Sequence, residues 1–172
     1  NNGAVDGFIL SIAEETQMTK NFQHYNSIIK SGTPIVMFDR ITDLVKSDKV
    51  IVDDLDSAFD ATQHLINIGC KHIALLSTID NLSVGKLRFE GYKKALELNK
   101  MVLDMDLILI GEEDEAFDLK IEKLLKAKKV DGIFAVDEHS ATKAMKLALQ
   151  KGYQIPKELN IIGFADGAWS RR

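Results

Sequence analysis

Gly132-Ile133-Phe134-Ala135-Val136 is an unbroken apolar run, and Asp137-Glu138-His139-Ser140-Ala141-Thr142-Lys143-Ala144-Met145 follows it with no glycine or proline between. Five consecutive apolar residues, two of them β-branched, predict a strand buried on both faces. The pattern then changes period: Ala141, Ala144, Met145, Ala148 and Leu149 form one helical stripe, and Gly152 supplies a stop. A buried strand leading straight into an amphipathic helix is half of a βα unit, the element from which parallel sheets are wound.

The same alternation runs outward in both directions. Further strands are expected at Val5 to Leu10, Ile35 to Phe38, Val50 to Val52, His72 to Leu76, Leu107 to Ile110 and Asn160 to Phe164. One helix is expected from about Met18 to Lys30, ending at Gly32. Another follows Asp54 and Asp56, acids suited to a helix N-terminus, and ends at Gly69. A third starts near Val84, and a fourth carries Phe117, Ile121, Leu124 and Leu125 on one face. Arg40 to Lys49 is polar and without a helical stripe, which makes it the expected crossing between two lobes. The expected division is a partial first lobe over residues 1–40, a crossing over 41–54, a nearly complete second lobe over 55–164, and the start of a return crossing over 165–172. The fold class is α/β, a Rossmann-like parallel sheet flanked by helices.

Composition narrows the function. With 172 residues, 45% of them hydrophobic, the chain can bury a core. No apolar stretch approaches the length of a membrane span. A formal charge of −4 argues against this segment gripping nucleic acid by itself, since phosphate binding needs clustered lysine and arginine. A single cysteine, Cys70, excludes an internal disulfide and fits a reducing, cytoplasmic setting. No G-x-G-x-x-G follows a strand, and neither a G-x-x-x-x-G-K-[ST] loop nor a G-x-S-x-G elbow occurs. His24, His64, His72 and His139 lack the spacing of metal ligands. Accordingly, no catalytic residue, metal or cofactor is expected, and an enzyme is disfavoured.

Ligands of open α/β sheets bind outside the carboxyl ends of the strands. Asp39 and Arg40 follow one strand, Asp137 follows another, and Asp166 lies just beyond the last. Arg88 shares a helix face with Val84, Gly91, Tyr92 and Ala95, an inward stripe on which a guanidinium needs partners. Those partners can be a ligand, or Asp137 in a purely structural pair. Asp137 is equally placed to cap the helix that follows it. Glu138 and His139, in the first turn of that helix, read as solvated.

At these residues the chain resembles the LacI/GalR family of repressors, whose sensor domain is similar to periplasmic sugar-binding proteins. The resemblance rests on Val5-Asp6-Gly7-Phe8-Ile9-Leu10, Pro34-Ile35-Val36-Met37-Phe38-Asp39-Arg40, Val52-Asp53-Asp54, His64 to Ala74, Arg88-Phe89-Glu90-Gly91-Tyr92, Gly132 to Glu138 and Ile161-Ile162-Gly163-Phe164-Ala165-Asp166, in that order and spacing. It implies a type I periplasmic-binding-protein-like sensor whose sugar-like or other small-molecule effector sits between lobes. It also implies a helix-turn-helix headpiece, absent from this chain, that binds operator DNA, and a homodimer. By position, Asp39 and Arg40 would face the cleft, Arg88 would grip the effector, and Asp137 would take the cleft-facing Asn or Asp place; Asp166, from its place beyond the last strand, is a further expected ligand contact. Ligand-driven closure of the lobes would control operator binding. The chain departs from the family at Ala165, where an acid is usual, and in the acidic Gly111-Glu112-Glu113-Asp114-Glu115 segment, where relatives often place an aromatic residue. The competing reading is a periplasmic solute receptor of a transporter, which shares the fold.

Overall fold

A computed structural model describes residues 5–127 and 129–165. These divide into two compact units, residues up to Asp53 together with Asn81–Val84, and Asp54–Asp80 together with the residues from Gly85 on.

The first unit is a three-stranded parallel sheet in the order β1-β2-β3, from Phe8–Leu10, Ile35–Phe38 and Asp48–Val50. Two helices, α1 (Glu14–Thr19) and α2 (Gln23–Lys30), connect β1 to β2. The single helix expected from Met18 to Lys30 is therefore broken: Lys20 adopts a left-handed φ of 54° that ends α1, and the chain restarts at Gln23. Ile12, Phe22, Tyr25, Ile35, Met37 and Val45 form the core, with Ile9 and Phe38 exposed. The burial on both faces expected of the Gly132 to Val136 strand is not repeated here, where Ile9 and Phe38 stay exposed.

The span 41–54, expected as a crossing, contains a strand and ends where the two units divide. β3 falls inside that span and pairs in parallel with β2, Val36 opposite Asp48 and Phe38 opposite Val50, so residues 41–47 connect two neighbouring strands of the first unit. The strand expected at Val50 to Val52 shifts by two residues for the same reason. Its pairing register ends at Val50, and Ile51 and Val52 run on exposed.

The second unit is wound from α3 (Asp54–Asn67), β4 (Ile73–Ser77), α4 (Ser83–Leu98, from Gly85 on in this unit), β5 (Ile108–Ile110), α5 (Glu115–Lys126), β6 (Gly132–Ala135), α6 (Glu138–Gln150) and β7 (Asn160–Gly163). Its sheet is parallel throughout, in the order β5-β4-β6-β7. β4 and β6 are buried at every position. Because side chains alternate across a strand, the two central strands feed two cores. Ala74, Leu76 and Ile133 point to one face, packed by Phe117 and Ile121 of α5 and Ala144 and Leu147 of α6. Ile73, Leu75 and Phe134 point to the other, packed by Ala58 and Leu65 of α3 and Tyr92 and Leu96 of α4. Helices on both faces of a parallel sheet make the doubly wound architecture expected from the sequence.

Candidate functional site

The strand order sets where the winding of the second sheet reverses. From β4 the chain moves outward to β5 on one side, and then crosses to β6 on the other. The connections leaving the carboxyl ends of β4 and β6 therefore diverge, opening a crevice at the point where the winding reverses. A cleft of about 420 Å³ lies there, lined by Thr78 and Ile79 after β4, Glu113 after β5, and Asp137, Glu138, His139 and Thr142 at the start of α6.

Asp137 ties the two diverging connections together. Its Oδ1 accepts from the Ser140 backbone N–H at 2.8 Å, capping α6, while its Oδ2 accepts from the Ser140 hydroxyl at 2.9 Å and from the Thr78 N–H at 2.9 Å. A carboxylate suits this place because three donors converge on it and the positive end of the helix lies beneath it. Asp137 is 9% exposed, so it lines the cleft mainly as a brace.

Arg88 stands behind the same strand end. Its Nε donates to Asp54 Oδ1 at 2.8 Å, Nη2 lies 2.7 Å from that same oxygen, and Nη1 donates to the Val136 carbonyl at 2.7 Å. The guanidinium carbon sits 3.7 Å from the centre of the Phe164 ring. Both charged side chains are nearly buried, Arg88 at 15% and Asp54 at 7% exposure. Arg88 thus links the first turn of α3 to the residue before Asp137. Its structural partner is Asp54, not the Asp137 that the sequence suggested.

Asp39 and Arg40 lie at the carboxyl end of β2 in the first unit. Asp39 takes a left-handed φ of 57°, which a short polar side chain tolerates, and its Oδ2 accepts from the Ser11 hydroxyl at 3.4 Å. Arg40 Nε donates to the same Ser11 oxygen at 3.4 Å and lies 3.9 Å from Asp39. Asp166 falls outside the described residues. The structure thus brings Arg88 and Asp137 to one strand end and places Asp39 with Arg40 at another.

Sequence reasoning missed Thr78, Glu113, Glu138 and His139. Glu138 and His139 are part-buried cleft residues, not solvated ones. Glu113 Oε2 lies 3.3 Å from His139 Nδ1. Applying the rule of the strand carboxyl end to β4 and β5, and not only to β2, β6 and β7, would have found Thr78 and Glu113. Among the described residues no group of three or more His, Cys, Asp or Glu could hold a metal ion, and no helix is long and apolar enough to cross a membrane.

This doubly wound unit, with its cleft at the reversal of winding, has known counterparts. The periplasmic binding protein-like domain family matches residues 62–171. The chain belongs to that family. This periplasmic binding protein-like domain is similar to parts of several transcriptional regulators. It is 35% identical over 115 residues to the HTH-type transcriptional regulator MalR of Clostridium butyricum, covering 66% of this chain and 34% of MalR. A LacI-family regulatory protein from Chloroflexus aggregans superposes with a TM-score of 0.83 at 28% identity, covering 98% of this chain and 60% of that one. A LacI-family regulator from Enterococcus faecium with bound ribose superposes with a TM-score of 0.76, also at 28% identity, covering 92% of this chain and 58% of that one. The chain spans 47% of the length of curated relatives that it matches over 93 to 94% of its own.

Proposed function

We propose that this chain is the effector-sensing part of a cytoplasmic transcriptional repressor, that it binds a small hydroxylated metabolite, and that it catalyses no reaction. The observation that carries the reading is the polar cleft at the carboxyl ends of β4 and β6, in a domain whose relatives are regulators. The regulator bound to ribose supports a sugar-like ligand. Regulators among the relatives favour this reading over a transporter's solute receptor, the alternative left open by the fold.

The roles divide by geometry. Glu138, His139 and Thr78 offer polar atoms to the ligand, and Asp137 braces the two connections that carry them. Arg88 acts first by position: it holds the Val136 carbonyl, and so the start of the Asp137 turn, and contact with ligand is its second proposed role. Asp39, Arg40 and Asp166 are further candidates for ligand contact, each at or just beyond a strand end. In the whole protein, ligand shifts a conformational equilibrium that sets the affinity of a helix-turn-helix headpiece for operator DNA, with the protein acting as a homodimer.

The test uses the full-length regulator. Thermal shift and operator-binding assays with a panel of monosaccharides and their amino and phosphate derivatives should find a compound that both raises the melting temperature and changes operator affinity. A complete panel without either response defeats the reading.

A further inference from the structure

We propose that the ligand of this cleft is a hydroxylated cation, an amine-bearing sugar or polyol, received by Glu138 and by the Glu113–His139 pair. The proposal rests on the effector-sensing reading above and specifies the chemistry of that same cleft.

Charge is the first argument. The described residues lining the cleft include three carboxylates, Glu113, Asp137 and Glu138, and no lysine or arginine. Three cations of the same unit have partners outside the lining. Arg88 is ion-paired with Asp54 at 2.7 Å, Lys143 with Asp118 at 2.6 Å, and Lys120 donates to the Ile110 carbonyl at 2.7 Å. One feature pulls the other way: the N-terminus of α6 opens here, and helix N-termini favour anions. That end is already occupied, since the Asp137 carboxylate caps Ser140. The lining therefore holds more acidic than basic side chains, a balance that disfavours phosphate and carboxylate ligands and favours ammonium.

The second argument is the inventory of uncommitted atoms. Glu138 Oε1, His139 Nε2 and Thr78 Oγ1 are buried and have no hydrogen-bond partner among the described residues. A carboxylate oxygen only accepts. His139 Nδ1 lies 3.3 Å from Glu113 Oε2, which leaves Nε2 as the ring nitrogen available to a ligand, an acceptor when the ring is neutral with its proton on Nδ1. Only the Thr78 hydroxyl can donate. A carboxylate oxygen, a ring nitrogen and a hydroxyl, left without partners beside one cleft, suit a ligand that brings donors. An ammonium group supplies up to three and neutralises a carboxylate at once. Glu113, in the segment where the sequence resemblance leads one to expect an aromatic, replaces stacking by a tether on His139.

Calorimetry on the full-length regulator, at low ionic strength, tests this with named probes: glucosamine, galactosamine and mannosamine, their parent hexoses, and the parent 6-phosphates. At least one amino sugar should bind about tenfold or more tightly than its parent, with the 6-phosphate weakest. Glu138→Gln should erase that margin, and His139→Ala should weaken the amino sugar while leaving the fold intact by circular dichroism. A hexose or a 6-phosphate that binds as well as its amino counterpart overturns the proposal, as does the failure of all three amino sugars to bind. If such a neutral or anionic probe binds and His139→Ala abolishes it, the cleft stands and only its charge class falls. If an amino sugar binds and neither substitution affects it, the assignment of the cleft itself falls.

Discussion

Arg88 has its charge balanced by one carboxylate, one of its N–H groups spent on a backbone carbonyl, and its flat face laid against an aromatic ring. Removing it leaves Asp54 buried without its counter-ion, the costly half of a broken buried pair, so Arg88→Ala should destabilise the domain by about 3 kcal/mol. Arg88→Lys should recover little, because an ammonium cannot reach Asp54 and the Val136 carbonyl together while stacking on Phe164. Urea denaturation of Arg88→Ala, Asp54→Ala and the double variant closes the cycle. A double variant as unstable as the sum of the singles would mean that the two residues do not act as a pair. Tyr92 makes a second prediction. Its hydroxyl donates to the Ile73 carbonyl at 2.8 Å inside the core, and burial, reinforced by Asp104, raises its pKa. The folded state then keeps a proton that the unfolded chain gives up near pH 10, so the stability it contributes is present below about pH 10 and is lost progressively above it. Tyr92→Phe should lower stability at neutral pH by about 1 kcal/mol, the worth of one hydrogen bond, and should flatten the decline above pH 10. A decline as steep as wild type in chemical denaturation would assign it to other groups.

At the scale of elements, the close approach of α3 and α4 turns on Gly91. A Cβ built there would lie 2.2 Å from the Leu55 carbonyl oxygen and 2.8 Å from the Phe59 nitrogen, both backbone atoms that no side-chain rotation can move. Gly91→Ala should therefore force the helices apart and cost about 2 kcal/mol or more, although alanine is the better helix former. A thermal melt within a degree of wild type would contradict the packing. Legibility from sequence also divides at this scale. β4 and β6 read clearly because strands buried on both faces are apolar throughout, and α6 read clearly because a cap, a stripe and a stop coincide. The break at Lys20 was not legible: a lysine in a left-handed turn leaves no compositional mark. β3 was misplaced because its register is set by β2, a long-range pairing, and the apolar residues Val50, Ile51 and Val52 drew the strand toward themselves. At the site, Asp54 looked like any acid at a helix start, since only tertiary placement of Arg88 makes it a buried partner. Glu113 and His139 become neighbours only when β5 and α6 are brought to the same end of the sheet.

Across the whole molecule, stability should be distributed unevenly, and the two cores say how. In the second unit, β4 and β6 are central strands with packed helices on both faces, and their two clusters contain fully buried Tyr92, Phe117, Phe134, Ile73, Leu75, Leu76, Ile121 and Leu125. The first unit has one cluster, in which Phe22 and Tyr25 supply the aromatic bulk, and its strands are three or four residues long with Ile9 79% exposed. Apolar area removed from water is the main favourable contribution to folding, and local opening begins where least of it is lost. Hydrogen exchange on the 172-residue chain should therefore find the amides of Ala74 to Leu76 and Ile133 to Ala135 exchanging last, at rates set by global unfolding. The amides of Ile9, Val36 and Met37 should exchange about a hundredfold or more faster, which corresponds to an opening roughly 3 kcal/mol easier. Denaturant separates the two classes: exchange of the β4 and β6 amides should accelerate steeply with urea, because their opening exposes both faces of a sheet, and exchange of the β1 and β2 amides only shallowly. Equal protection and equal urea dependence in the two sheets would show instead that the chain opens as one cooperative unit, and that the smaller core draws its stability from more than its own contacts.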